Sequence, residues 1–179
     1  DFRNEGIDRS HNPEFTMLEY YQAYADYEVM MEGVEALLRH VVTEVLGTTR
    51  ITVQGEEVDF GPPFRRLPFM EALNAKLGAD AAELDDAELR RRAELLGETG
   101  LEGASRGRLL DKLFGALVEP ELTQPTFVVD YPVELSPLAK AKRGDARLTE
   151  RFELYVVGRE LANAFSELND PLDQRARFD

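Results

Sequence analysis

RFELYVVGRELANAFSEL, residues 151 to 168, is the stretch whose reading decides the fold, because its apolar period alone allows either a strand or an amphipathic helix. The β-branched and aromatic cluster from Phe152 to Val157 favours strand, since such side chains pack well on a pleated surface. Two acids inside the stretch sharpen the choice. Glu153 and Glu160 are seven apart, which places them on one face of a helix but on opposite faces of a continuous strand. The strand reading therefore needs Gly158 to mark a turn or a bulge. It also sets Asn163, Phe165 and Glu167 two apart, on one strand face.

Reading outward, Asp170 followed by Pro171 is a helix start, because proline suits the first helical position and aspartate caps it. Upstream, TFVVDY (126–131) reads as another strand. The middle of the chain differs: FMEALNAKLG, DDAELRRRAELLG and SRGRLLDKLFGALV read as three helices, with Gly78 and Gly97 as C-caps. A long helix starts at Asp26 and stops at Gly47, on the helical spacing of Val29, Met30, Val34, Leu37, Leu38, Val41, Val42 and Val45. ITVQGEEVDF (51–60) reads as a short hairpin turning near Gly55 and ended by Pro62 and Pro63. Phe2–Glu5 and Phe15–Ala25 read as two strands joined by a loop holding Gly6, Asp8, Ser10, Asn12 and Pro13. No internal repeat or low-complexity tract interrupts the alternation.

The 179 residues suit one domain with a core, at 43% hydrophobic and 31% charged residues. No apolar run approaches the roughly 20 residues of a membrane span, and none resembles a signal peptide. Without cysteine there can be neither disulfides nor thiolate-metal sites, which points to a cytoplasmic protein. The net charge of −14 disfavours a broad nucleic-acid-binding face, so any nucleic acid is met locally or by another part of a longer protein.

The opening residues carry candidate chemistry. As strands they would direct Arg3 and Glu5 to one side, and Phe15, Met17, Glu19 and Tyr21 to one face of the returning strand. A guanidinium grips a carboxylate or phosphate bidentately, an aromatic ring stacks on a base, and a glutamate holds an ammonium. The same residues would also serve in an ordinary solvated hairpin with cross-strand charge pairs, and spacing leaves both open. The run Arg90 to Arg92 reads as a solvated face, and His40 as a helix residue without a role.

FRNEGIDRSHNPEFTMLEYYQAYADY resembles motif 2 of the class II aminoacyl-tRNA synthetases, in the form carried by lysyl-tRNA synthetases of bacterial type. DFGPPFRRL, RLLDKLF, QPTFVVDYPVELSPLAK and LTERFELYVVGRELANAFSELNDP resemble successive stretches of that family, in its order. The aspartate and asparagine enzymes are not expected to carry HNPEF or SPLAK. The paralogue that lysylates an elongation factor usually has tryptophan after the motif 2 glutamate, where Tyr20 and Tyr21 stand here.

The resemblance implies an α+β fold, an antiparallel class II sheet flanked by helices with a helical insertion. It implies three parts: residues 1–67, the insertion 68–120, and returning strands with the start of a helix over 121–179. It implies activation of L-lysine by ATP and transfer to tRNA(Lys), in a homodimeric parent enzyme. Arg3 would contact the α-phosphate and the lysine carboxylate, Glu5 the adenosine and His11 the outer phosphates, with Phe15 under adenine. Glu19, Tyr21 and Glu167 would hold the lysine side chain, with Asn163 and Phe165 nearby, and Glu153 and Glu160 would bridge Mg²⁺ to ATP. Asp8 and Arg9 would lie on the loop that approaches the tRNA end. Ala164 departs from the glycine of many bacterial members. No motif 1 precedes Asp1 and no motif 3 follows Asp179, so the expectation is an internal piece of a catalytic domain, inactive alone. The alternatives are transfer of lysine to a protein or lipid acceptor, or a non-catalytic module derived from a synthetase.

Overall fold

The computed structural model describes residues 1–4, 6–7 and 12–178. Its centre is a four-stranded sheet of β3 (Arg65–Pro68), β4 (Thr126–Val129), β7 (Arg151–Val156) and β8 (Arg159–Phe165), in the order β3-β4-β7-β8. The decisive stretch is strand on both sides of a turn. Val157 and Gly158, at φ of 51° and 65°, reverse the chain, and β8 returns antiparallel to β7. Their amides donate to Thr123 and Leu122 carbonyls at 3.0 Å, docking the turn on the 3₁₀ turn Glu119–Glu121. A Cβ on Gly158 would stand 3.2 Å from the Glu119 carbonyl oxygen, in a backbone region that L-residues rarely adopt. Gly158→Ala is expected to destabilise the protein by about 1–3 kcal/mol. Urea denaturation followed by circular dichroism measures this, and an unchanged curve would mean that the turn relaxes freely.

Local signals account for the helices. Asp26 caps α1 (Tyr27–Leu46), its carboxylate accepting from the Glu28 and Val29 amides at 3.1 and 3.3 Å, and Gly47 ends it at φ 70°. Asp170 caps α5 (Pro171–Phe178), accepting from the Leu172 amide at 2.9 Å. The expected hairpin is β1 (Arg50–Val53) and β2 (Glu56–Asp59), turning at Gln54 and Gly55. The three middle helices are α2 (Phe69–Leu77), α3 (Asp86–Leu95) and α4 (Arg106–Leu117). A small ladder of β5 (Ala141–Lys142) and β6 (Asp145–Thr149) turns at Gly144.

Three features differ from the sequence expectations. First, β3 was not foreseen, and it runs parallel to β4 although the other ladders of the sheet are antiparallel. The helices α2 to α4 thus lie in the crossover that a parallel pair requires. Second, residues 15–25 form no strand: a single Phe2–Glu14 bridge joins the opening segments among the described residues. A strand persists only by laddering with a neighbour, and among the described residues this segment pairs only at Phe15, which exchanges hydrogen bonds with Asp1. Third, the arginine run is only partly solvated. Arg91 pairs with Glu88, whereas Arg90 Nε donates to the Leu101 carbonyl and Arg92 to the Leu77 carbonyl, each at 3.0 Å.

Two apolar clusters sandwich the sheet. Phe127, Val129, Phe152, Leu154 and Val156 pack against α1 and the β1–β2 hairpin. Val128 and Tyr155, on the other side, pack with α2–α4, where the Phe69 and Phe114 rings stack at 4.3 Å. Alternate residues of β4 and β7 face opposite layers, so both strands are buried almost throughout.

Candidate active site

On the α2–α4 side, β7 presents Arg151, Glu153 and Tyr155, which pair across the ladder with Phe165, Asn163 and Glu160. Glu160 and Asn163 are three apart and share this side because the register shifts between Leu154 and Tyr155, leaving Leu161 without a partner in the ladder. The turn at Gly158 brings Glu160 back towards Glu153, and the bulge sets its side.

Glu153 is buried, and its carboxylate is heavily engaged. Tyr131 and Tyr155 hydroxyls donate to Oε2 at 2.7 and 2.6 Å, Arg151 pairs with Oε1, and Asn163 Nδ2 lies 3.5 Å from Oε1. Such partners are what allow a carboxylate to be buried. They have electrostatic consequences. Burial, then the adjacent Glu153 charge, pushes both phenols well above their ordinary range. Burial and the Glu153 charge also raise Glu160 to about 7. Burial raises Glu119, and burial with Glu153 raises Asp111, so negative charge is crowded around Glu153.

Beside this cluster opens a cleft of about 1000 Å³. Arg3, Glu19, Tyr21, Glu160, Asn163, Phe165 and Glu167 all line it, so the structure gathers seven of the residues singled out in the sequence. Phe15 stands behind Arg3, whose guanidinium lies 5.3 Å from the ring centroid. Glu153 does not line the cleft but pairs across the ladder with Asn163, which does. Glu5 and His11, with Asp8 and Arg9, lie outside the described residues. The expected single face of residues 15–21 is not observed: Thr16 to Tyr21 line the cleft consecutively, as an unpaired segment allows.

Other lining groups escaped the sequence reading. Arg143 pairs with Asp26 and Glu150, each at 2.6 Å, tying the β5–β6 ladder to the α1 N-terminus. Burial opposes but does not outweigh its hydrogen bonds with Ser166 and Arg143, so the Glu150 carboxyl stays below its ordinary value. Ser166 Oγ accepts from the Tyr27 amide at 3.1 Å, while the Ser166 carbonyl accepts from the Lys140 amide at 2.8 Å. This holds Glu167 in place, bridged to Ala139. Only the KRGD turn was a visible signal for the ladder.

Residues 1–179 match the protein family described as tRNA synthetases class II (D, K and N). The chain belongs to this family. The lysine-tRNA ligase of Moorella thermoacetica is 55% identical over 99% of this chain, which covers 37% of that protein. The lysine-tRNA ligase of Porphyromonas gingivalis is 50% identical over 100% of the chain, covering 31% of that protein. That of Thermotoga sp. is 54% identical over 99%, covering 35%. The chain spans about a third of the length of the curated relatives it matches.

For a class II synthetase sequence, the question is what the cleft can bind. A guanidinium, aromatic rings and unpaired carboxylates suit an anion, a planar base and a cation respectively. Among the described residues no three potential ligands form a metal group. Magnesium commonly takes one or two carboxylates and completes its shell with waters and substrate phosphates, and of the two candidate acids Glu160 is the one that lines the cleft, both oxygens of Glu153 being engaged by protein donors. Glu160 lines the cleft, and because burial and then the Glu153 charge raise its carboxyl, a cation there would relieve the repulsion between the two acids. Among the described residues no helix is long and apolar enough to cross a membrane.

Proposed function

We propose that the protein containing this chain is a lysine-tRNA ligase that activates L-lysine with ATP and then passes it to tRNA(Lys). The observation that carries the reading is the charge of the cleft: Glu19 and Glu167 line it together with Arg3, and among the described residues neither acid has a basic partner. The family description covers three amino acids. Of these, lysine alone brings a side-chain ammonium to satisfy those carboxylates. A neutral or anionic side chain leaves them unpaired, so rejection is strong without an editing step. The curated lysine-tRNA ligases at 50–55% identity support the same choice.

The first half-reaction is an in-line displacement. A carboxylate oxygen of lysine bonds to the α-phosphorus as the bond from phosphorus to the pyrophosphate oxygen breaks, and no covalent enzyme intermediate forms. Catalysis is then positioning and charge stabilisation. Arg3 holds the lysine carboxylate and the α-phosphate with its planar fork. Phe15 stacks under adenine, Glu5 binds the adenosine and His11 the outer phosphates. Glu19, Tyr21 and Glu167 hold the lysine side chain, with Asn163 and Phe165 beside it. Glu153 and Glu160 would hold magnesium, which when bound with ATP supplies positive charge for the departing pyrophosphate. The same reading implies a homodimeric enzyme in the cytoplasm.

Glu19→Gln in the full-length enzyme tests it. The KM for lysine in pyrophosphate exchange is expected to rise about tenfold or more, the loss of a charge-assisted hydrogen bond, while that for ATP stays within about threefold. Equal loss for both substrates would place Glu19 in a structural role, and exchange driven by aspartate or asparagine in place of lysine would overturn the assignment.

A further inference from the structure

Arg151 has no part in the proposed chemistry, yet its side chain touches two residues of the site, Glu153 and Asn163. Its side chain is 16% exposed and lies over the Tyr131 ring, 4.6 Å from the centroid. Nη1 donates to the Leu135 carbonyl at 2.7 Å and to Ser136 Oγ at 3.1 Å. Nη2 pairs with Glu153, and Nε donates to Asn163 Oδ1 at 3.3 Å.

We propose that Arg151 is a positioning residue for amino-acid recognition, its guanidinium holding the Asn163 amide and the Glu153 carboxylate in one arrangement. The inference rests on the reading of Asn163 as part of the lysine site.

A guanidinium only donates, so the atom of Asn163 that faces Arg151 must be its carbonyl oxygen. The amide nitrogen is thereby turned towards Glu153, 3.5 Å away, on the side of the ladder where Glu160 also stands. Without Arg151 the amide could rotate by half a turn and set its oxygen against two carboxylates. Arg151 is itself immobilised: Tyr131 is under it, and the 3₁₀ turn Val133–Leu135 with Ser136 supplies its acceptors. The backbone there is fixed in turn by α4, since a Cβ on Gly107 would come within 3.0 Å of the Glu134 carbonyl oxygen. One planar fork therefore connects the helical layer to both proposed halves of the site. Lysine at this position could keep a charge by Glu153 but could not span the other acceptors.

The test is a double-mutant cycle in the full-length enzyme, comparing Arg151→Lys, Asn163→Ala and the pair by calorimetric binding of L-lysine, with thermal unfolding as a check on folding. Arg151→Lys is expected to weaken lysine binding about tenfold or more, as loss of a fixed hydrogen-bonding partner does. The double variant is expected to bind no worse than Asn163→Ala alone, because Arg151 acts through that amide. If Arg151→Lys unfolds early, Arg151→Gln provides the same cycle. Full multiplicativity of the two losses, or unchanged binding in both Arg151 variants, overturns the inference while leaving the lysine site intact. Unchanged binding in Asn163→Ala overturns both.

Discussion

Arg3→Ala in the full-length enzyme should lower kcat for lysine-dependent pyrophosphate exchange by about 100- to 1000-fold, the loss that follows removal of one preorganised donor to a developing charge. The KM for ATP should change by less than about tenfold, because the interaction tightens as the phosphorus becomes five-coordinate. Three observations support this. Arg3 lines the cleft with Glu160, Asn163 and Glu167. Among the described residues its guanidinium contacts one aromatic ring, that of Phe15, and no carboxylate, as a group meant for an anionic substrate requires. The backbone is anchored, the Arg3 amide donating to the Pro13 carbonyl at 2.9 Å. Arg3→Lys should recover only part of the rate, since a point charge lacks the fork. A kcat within threefold of the parent, with a raised KM for ATP, would assign Arg3 to ground-state binding.

In Glu160→Gln the concentration of Mg²⁺ giving half-maximal exchange should rise by at least about tenfold, which loss of even an outer partner of a metal site commonly causes. Glu160 is the more informative of the two acids. Glu153 is locked by two phenols and Arg151, so replacing it would disturb the buried layer as well as any metal. Glu160 faces the cleft, and glutamine matches its shape while removing the charge. Relief of its repulsion with Glu153 should leave the variant at least as stable as the parent. Titration of Mg²⁺ at saturating ATP and lysine decides it. An unchanged requirement would remove Glu160 from the metal site and leave the pair as a structural feature of the β7–β8 hairpin.

The residues of the candidate site were legible, but their grouping was only partly so. Glu153 and Glu160 stood out as acids, and Gly158 was visible as the turn a strand reading needed. The bulge that brings Glu160 and Asn163 to one side is a property of the ladder, and no residue type at Leu161 announces it. Arg151 gave no signal at all. Its acceptors come from Leu135, Ser136, Glu153 and Asn163, and its ring contact from Tyr131, which converge only when β7 pairs and α4 packs. The reverse holds at residues 15–25, where alternation suggested a strand but, among the described residues, only Phe15 pairs, with Asp1.

What the sequence determined by itself was whatever depends on a few neighbouring residues. Asp26 and Asp170 start helices because their carboxylates reach amides two or three positions on, and Gly47, Gly55 and Gly158 turn the chain because they adopt positive φ without strain. The tertiary structure decided what depends on distant partners. Arg65–Pro68 is a strand only because Thr126–Val129 lies beside it, some sixty residues later, and Glu153 can be a buried anion only because Arg151, Tyr131 and Tyr155 surround it. Capping and turn energies act within one helical turn of chain and are written in local residue types. Strand pairing and the stabilisation of a buried charge are sums over groups that only folding brings together.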